Sequence, residues 1–192
     1  MLDGLLVDLV PYGSRFWEND SRWWNNDSRF WGSMGNRFIL SKAQIERVHQ
    51  EWRDSPPETG VPFGIQTKDG KPIGYIGINW ISQHDRAANL GAVINEPDYW
   101  GGGYGTDALL LLLDYAFYTL DMRRVWLGTM SLNARVMRQM EKVGFMLEAR
   151  RREATVADGV WYDELIYGMM AEEWPGRETM IVKLGLSAAK DR

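Results

Sequence analysis

The chain of 192 residues has no cysteine and only two histidines, His49 and His84. Disulfides, thiolate nucleophiles and Cys-ligated zinc are excluded, and with so few histidines no metal centre is expected. Basic residues are not in excess: 22 Lys and Arg stand against 26 Asp and Glu, a formal net charge of -4. A broad basic face for duplex nucleic acid is therefore not expected, and no nucleic-acid partner is inferred. Long apolar runs are also missing. The longest, Ala108 to Leu113, stops at Asp114, far short of the roughly 20 residues that cross a bilayer. Met1-Leu2-Asp3-Gly4 lacks the basic region of a secretory signal. The expectation is a soluble, cytoplasmic protein with no membrane partner.

What is present is an ordinary globular balance, 45% apolar and 25% charged, in a chain long enough to bury about 70% of its extended surface. Tryptophan is abundant and crowded early. A seven-residue echo runs through Ser14-Arg15-Phe16-Trp17, Ser21-Arg22-Trp23-Trp24 and Ser28-Arg29-Phe30-Trp31. Seven residues are close to two helical turns, so the aromatics form a stripe on one helix face. The intervening Asn and Asp residues favour two short helices over one long one.

Local patterns give the remaining elements. Leu5 to Val10 reads as a strand ended by Pro11-Tyr12-Gly13, and Ser41 caps a helix to Arg53 with Ile45, Val48 and Trp52 on one face. Asp54 to Gly60 is a loop. Phe63 to Thr67 and Ile73 to Ile81 flank Asp69-Gly70 as a hairpin, and Ala88 to Ile94 is a further strand. Leu109, Leu110, Leu112, Leu113, Ala116, Phe117 and Leu120 follow helical offsets. Arg124 to Met130 is a strand, and Asn133 to Lys142 a helix ended by Gly144. Phe145 to Ala157 and Val160 to Met170 form a hairpin around Asp158-Gly159. The fold class is mixed α/β, antiparallel in its N-terminal half, with one right-handed βαβ crossover through the Leu-rich helix. Residues 1–175 are read as one domain and 176–192 as a loose C-terminal extension with a weak helix.

The most informative segment is Tyr99-Trp100-Gly101-Gly102-Gly103-Tyr104-Gly105-Thr106. Glycines at a strand-to-helix junction let a backbone approach a ligand closely, and a helix start attracts anions. A Walker A loop is excluded because no Lys follows Gly105. Gly103-Tyr104-Gly105-Thr106-Asp107-Ala108 fits a dinucleotide fingerprint, but that fold does not place an antiparallel half before its motif. A turn without a ligand is the remaining alternative to a phosphate site.

Trp100-Gly101-Gly102-Gly103-Tyr104-Gly105 resembles the Gln/Arg-x-x-Gly-x-Gly/Ala motif of the GNAT acetyltransferase superfamily. The form Tyr-Trp-Gly-x-Gly-Tyr-Gly/Ala-Thr is similar to its ribosomal-protein-alanine (N-terminal) acetyltransferase-like branch. Ser131-Leu132-Asn133-Ala134-Arg135, Glu141-Lys142-Val143-Gly144-Phe145 and Asp158 to Asp163 continue the resemblance, over about residues 5 to 175. It implies a GNAT-like acyl-CoA N-acyltransferase fold with acetyl-CoA as cosubstrate and an amine as acceptor, with a homodimer allowed. Backbone amides from Gly101 to Thr106 would cradle the pyrophosphate. The strand at Ala92, Val93 and Ile94 would splay from its neighbour and pair with the pantetheine arm, a backbone N–H near Val93 or Ile94 polarising the thioester. Asn133 would bond the coenzyme arm, or act simply as a helix cap. Arg138, with Arg135 and Lys142, would meet the outer phosphate, or form a solvated charged face.

Two departures from that pattern matter. The family's usual acid, a Tyr, is Met140, and its usual base, a Glu, is Asn89. Asp163 and Glu153 are the candidate substitutes for the base. Asp163 shares strand parity with Leu165 and Tyr167 and is expected in an apolar site that raises its pKa, or else paired with Arg150, Arg151 or Arg152. Tyr162 and Tyr167 are candidate acids. Trp17 and Trp24, with Trp23, Trp31, Glu18, Asp20 and Asp27, would line the acceptor side, or pack a helix on the sheet. With no strong base, a low-pKa α-amine of a protein or peptide suits the site best. A small amine such as a polyamine or aminoglycoside, or a non-catalytic acyl-CoA sensor, are the alternatives.

Overall fold

A computed structural model describes residues 1–25, 40–54 and 60–188. One eight-stranded mixed sheet organises the chain, in the order β1-β2-β3-β4-β5-β6-β8-β7. Its strands are β1 (Leu2–Asp3), β2 (Val7–Pro11), β3 (Val61–Thr67), β4 (Pro72–Ser82), β5 (Ala87–Ile94), β6 (Arg124–Met130), β7 (Met146–Ala157) and β8 (Val160–Met170). The helices are α1 (Ser14–Asn25), α2 (Lys42–Asp54), α3 (Tyr104–Asp114), α4 (Ala134–Val143) and α5 (Arg177–Leu184). All neighbouring strands are antiparallel except β5 and β6, which are parallel and joined through α3. The expected mixed α/β order is realised, with β1 added ahead of it. None of the described helices is long and apolar enough to cross a membrane.

Side-chain alternation sorts the sheet into two faces. Ile76, Ile78, Ala88, Leu90, Val125, Leu127, Leu165 and Tyr167 are buried with the leucines of α3 and with Met140 and Val143 of α4. On the opposite face Tyr75 meets Tyr12, whose ring also touches Phe16 of α1 and Trp52 of α2. Phe16 and Trp23, seven residues apart, are the buried edge of the aromatic stripe. Ser41 and Gln44 cap α2 reciprocally, and its buried positions are Ile45 and His49. Trp52, expected to share that face, is 39% exposed. The third echo, with Trp31 and Asp27, and residues 55–59 of the loop lie outside the described residues.

Segment 177–184, read from sequence as a weak helix in a loose extension, is a helix, and it is docked rather than loose. Met180 has no exposed surface. Arg177 donates to Asp107 at 3.2 Å, and its backbone N–H donates to Asp114 at 3.2 Å. Asp107, itself fully buried, also accepts from the Leu6 and Val7 N–H groups at 2.7 and 3.2 Å. With the sheet on one side and α5 on another, α3 is buried from Asp107 through Leu113 rather than along one stripe.

Candidate active site

Pairing between β5 and β6 holds for three registers only, Ala87 with Arg124, Ala88 with Val125 and Asn89 with Trp126. Beyond them the strands part, and Leu90 to Ile94 remain paired to β4 alone. A parallel ladder that ends this way leaves backbone donors and acceptors facing a gap, which a ligand's amides can satisfy. The gap opens into a cleft of about 1110 Å³ lined by Ala92, Val93 and Ile94 on one side and Trp126, Gly128 and Thr129 on the other. The Ile94 carbonyl accepts from Trp100 Nε1 at 2.7 Å, which ties the start of the glycine turn to the splayed strand.

The turn itself has the backbone that its glycines permit. Gly101 and Gly103 have φ of 80° and 88°, a region that costs other residues about 1–2 kcal/mol. Gly103 is the N-cap of α3 and brings no side chain to its first N–H groups, so that end is suited to an anion. Trp100, Gly101, Gly103, Gly105 and Thr106 line the cleft, whereas the expected Gly102 and Tyr104 do not. Tyr104 packs edge-on against Tyr99, with ring centroids 4.9 Å apart. Asn133 caps α4, accepting from the Val136 N–H at 3.3 Å, and lines the cleft. Arg138, Lys142 and Arg135 also line the cleft. Arg135 lies 4.3 Å from the Trp100 ring centroid, and burial draws its guanidinium down from the usual range.

The expected acid–base candidates divide. Asn89 stands where the β5–β6 ladder ends. It donates to the Trp126 carbonyl at 3.3 Å and accepts from Asn79 Nδ2 at 3.2 Å, so the apex carries two neutral carboxamides. Asp163 and Glu153 do not line the cleft; they lie together on the β7–β8 hairpin with Arg150 and Arg152. The expected rise in the Asp163 pKa is overturned: the Glu153 N–H and the Arg150 guanidinium hold it below the usual carboxylate range. Parity does put Asp163 on the side of Leu165, but the group it meets there is hydrogen-bonding, not apolar. Met140 is buried and lines the cleft wall. Tyr167 is core and Tyr162 half-buried, neither lining the cleft.

Trp17 and Trp24 also fall outside the cleft lining. Trp17 stacks on His49, with centroids 4.8 Å apart, and Trp24 meets the same ring edge-on. They fasten α1 to α2 around a buried polar trio: Asp20, with no exposed surface, accepts from Tyr12 at 2.8 Å and lies 2.8 Å from His49 Nε2. Desolvation holds Asp20 above its ordinary range despite those bonds. Tyr75, which lines the cleft, is pushed up by burial and by the nearby Asp20. Glu96, a loop residue, is held below its usual range by Arg22 and by Trp23 Nε1, which pin α1 to the end of β5.

Sequence reasoning missed Glu164, Tyr75 and Asn79, all of which line the cleft. Tyr75 and Asn79 come from β4 and Glu164 from β8, and no local spacing joins the two strands.

Residues 12–146 match the family model described as an acetyltransferase (GNAT) domain. The chain is 33% identical over 135 residues to "Probable N-acetyltransferase YjcK" of Bacillus subtilis (strain 168), covering 69% of this chain and 74% of that protein. It is 28% identical over 134 residues to "Putative ribosomal N-acetyltransferase YdaF" of the same organism, covering 69% and 72%. Among solved structures, the spermidine N-acetyltransferase of Vibrio cholerae in complex with CoA and spermine superposes with a TM-score of 0.78 at 17% identity, covering 87% of this chain and 96% of that one. Mycobacterium smegmatis RimJ in complex with CoA-disulfide gives 0.77 at 23% identity, covering 95% and 92%.

Proposed function

The chain belongs to the GNAT acetyltransferase family, as an acetyl-CoA-dependent N-acetyltransferase, and from that premise we propose that its acceptor is the N-terminal α-amine of a protein or peptide. The observation that carries this reading is the neutral apex: at the end of the splay, where the family's usual Glu would stand, Asn89 and Asn79 present hydrogen-bonded carboxamides in place of a carboxylate. At pH 7 an alkyl amine of pKa ~10.4 costs about 4.6 kcal/mol to deprotonate, whereas an α-amine of pKa ~7.7–8.0 costs about 1–1.4 kcal/mol. A site without a strong base at its apex favours the second. The name of the YdaF relative, a ribosomal N-acetyltransferase, is in line with a protein acceptor.

In this reading the α3 N-terminus and the turn from Gly101 to Thr106 take the coenzyme pyrophosphate. The free edge of Ala92, Val93 and Ile94 takes the pantetheine, and Asn133 and Arg138 hold its outer part. The amine approaches from the face of Asn89 and Trp126 and attacks the thioester directly, with a β5 N–H on the carbonyl oxygen. The setting is cytoplasmic. Coenzyme A thiol release at pH 7 tests the reading, using acetyl-CoA with either a lysine-free peptide bearing a free α-amine or spermidine. Faster turnover of the peptide is expected; faster turnover of spermidine overturns the α-amine assignment.

A further inference from the structure

Among the described residues that line the cleft, the charged side chains are Arg135, Arg138, Lys142 and Glu164. The three cations all stand on α4. The carboxylate stands on β8, on the other face of the sheet. Pairing of Leu127 with Tyr167 and of Thr129 with Leu165 fills the buried α3 side, so Gly128, Ile166, Met130 and Glu164 alternate onto the face that carries Trp126 and Asn89. One cleft thus presents positive charge on one side of the sheet and a single negative charge on the other. Such a division suits two ligands of opposite charge, a polyphosphate and an amine.

Glu164 is also placed to reach the splay. Its register partner is Met130, yet Oε1 lies 3.3 Å from where a Cβ on residue 128 would sit, so the carboxylate leans back along β6 over Gly128. Gly128 is two residues, or about 7 Å, from Trp126, where the β5–β6 ladder ends. The carboxylate is one-fifth exposed and paired with Arg151, its cross-strand neighbour on β7, whose side chain is 69% exposed. An ion pair with one partner that open is weak and readily exchanged.

We propose that Glu164 is the acceptor-binding carboxylate of this enzyme, with Arg151 as the counter-ion that the incoming ammonium displaces. The inference rests on the acetyltransfer reading and deepens it. Held by Glu164, the α-ammonium gives one proton to solvent water. The freed lone pair then attacks the thioester carbonyl carbon. The N–C bond forms, the C–S bond breaks with its electron pair on sulfur, and the amine's second proton ends on the thiolate as coenzyme A.

The test compares Glu164→Gln, which keeps shape and removes charge, with Arg151→Ala, which breaks the same ion pair but keeps the carboxylate. With the lysine-free peptide at pH 7, E164Q is expected to lose about tenfold or more in acceptor kcat/KM, while its KM for acetyl-CoA changes by less than about twofold. R151A is expected to stay within about threefold of the parent enzyme. Equal losses in both variants would mean that the pair only fastens β7 to β8, and an E164Q enzyme of undiminished acceptor kcat/KM would dispose of the proposal outright. If the parent enzyme turns over spermidine instead of the peptide, the α-amine assignment fails, and the same two variants judge Glu164 on spermidine.

Discussion

Gly103 combines two demands at one position. Its φ of 88° forms the left-handed cap of α3, and its lack of a side chain leaves the helix start open to the cleft. Gly103→Ala is expected to destabilise by about 1 kcal/mol, a fall of roughly 2–4 °C in Tm by calorimetry, and to weaken acetyl-CoA binding. Asp20 sets a different condition. Desolvation raises its folded-state pKa above the ordinary 3.8, so the folded protein binds that proton more tightly than the unfolded chain does. Its contribution to stability is then fullest below the unfolded value and declines as pH rises through the folded one. The Tm advantage of the parent protein over Asp20→Asn is accordingly expected to shrink from about pH 4 to about pH 7, followed by circular dichroism. An advantage that grows over that interval would show that the bonds from His49 and Tyr12 outweigh desolvation. At this scale residue type was legible where chemistry is intrinsic, as with Met140 and Asn89, which carry no titrating proton. For Asp163 the sequence left an apolar site and a pair with a neighbouring Arg both open, and the Arg150 pair with the turned backbone at Glu153, φ 49°, decides for the second.

Elements were the most readable level. The Asp158-Gly159 turn is a two-residue loop with positive φ at both positions, which matches strand twist, and the longer loop of residues 68–71 carries its positive φ at Gly70. Asn133 and Gly144 bracket α4 as cap and stop for the same local reason. The interaction between elements was hidden. Trp100 joins the turn to β5 through its indole N–H and to α4 through Arg135, a link across three segments. Trp100→Phe keeps the ring and removes the donor. It is expected to weaken acetyl-CoA affinity by about threefold to tenfold, the worth of one hydrogen bond, as measured by isothermal titration, with little change in Tm.

Across the whole molecule, the C-terminal helix belongs to the cleft it was expected to trail away from. Leu184, Gly185 and Leu186 line that cleft, and Arg177 bonds the fully buried Asp107 next to the glycine turn. Removing one partner of a buried ion pair costs about 3–5 kcal/mol, and Arg177→Ala is expected to lower Tm by roughly 6–20 °C while weakening acetyl-CoA binding; an unchanged melting curve would dissociate α5 from the fold's stability. The sequence by itself determined the elements, their order, the glycine turn and the absence of the usual acid and base, since periodicity, caps and turn chemistry act within a few residues. Only the tertiary structure decided where β5 leaves β6, which carboxylate reaches the cleft and what covers α3. Those depend on pairing between strands far apart in the chain and on the face each side chain takes, and no local pattern encodes either.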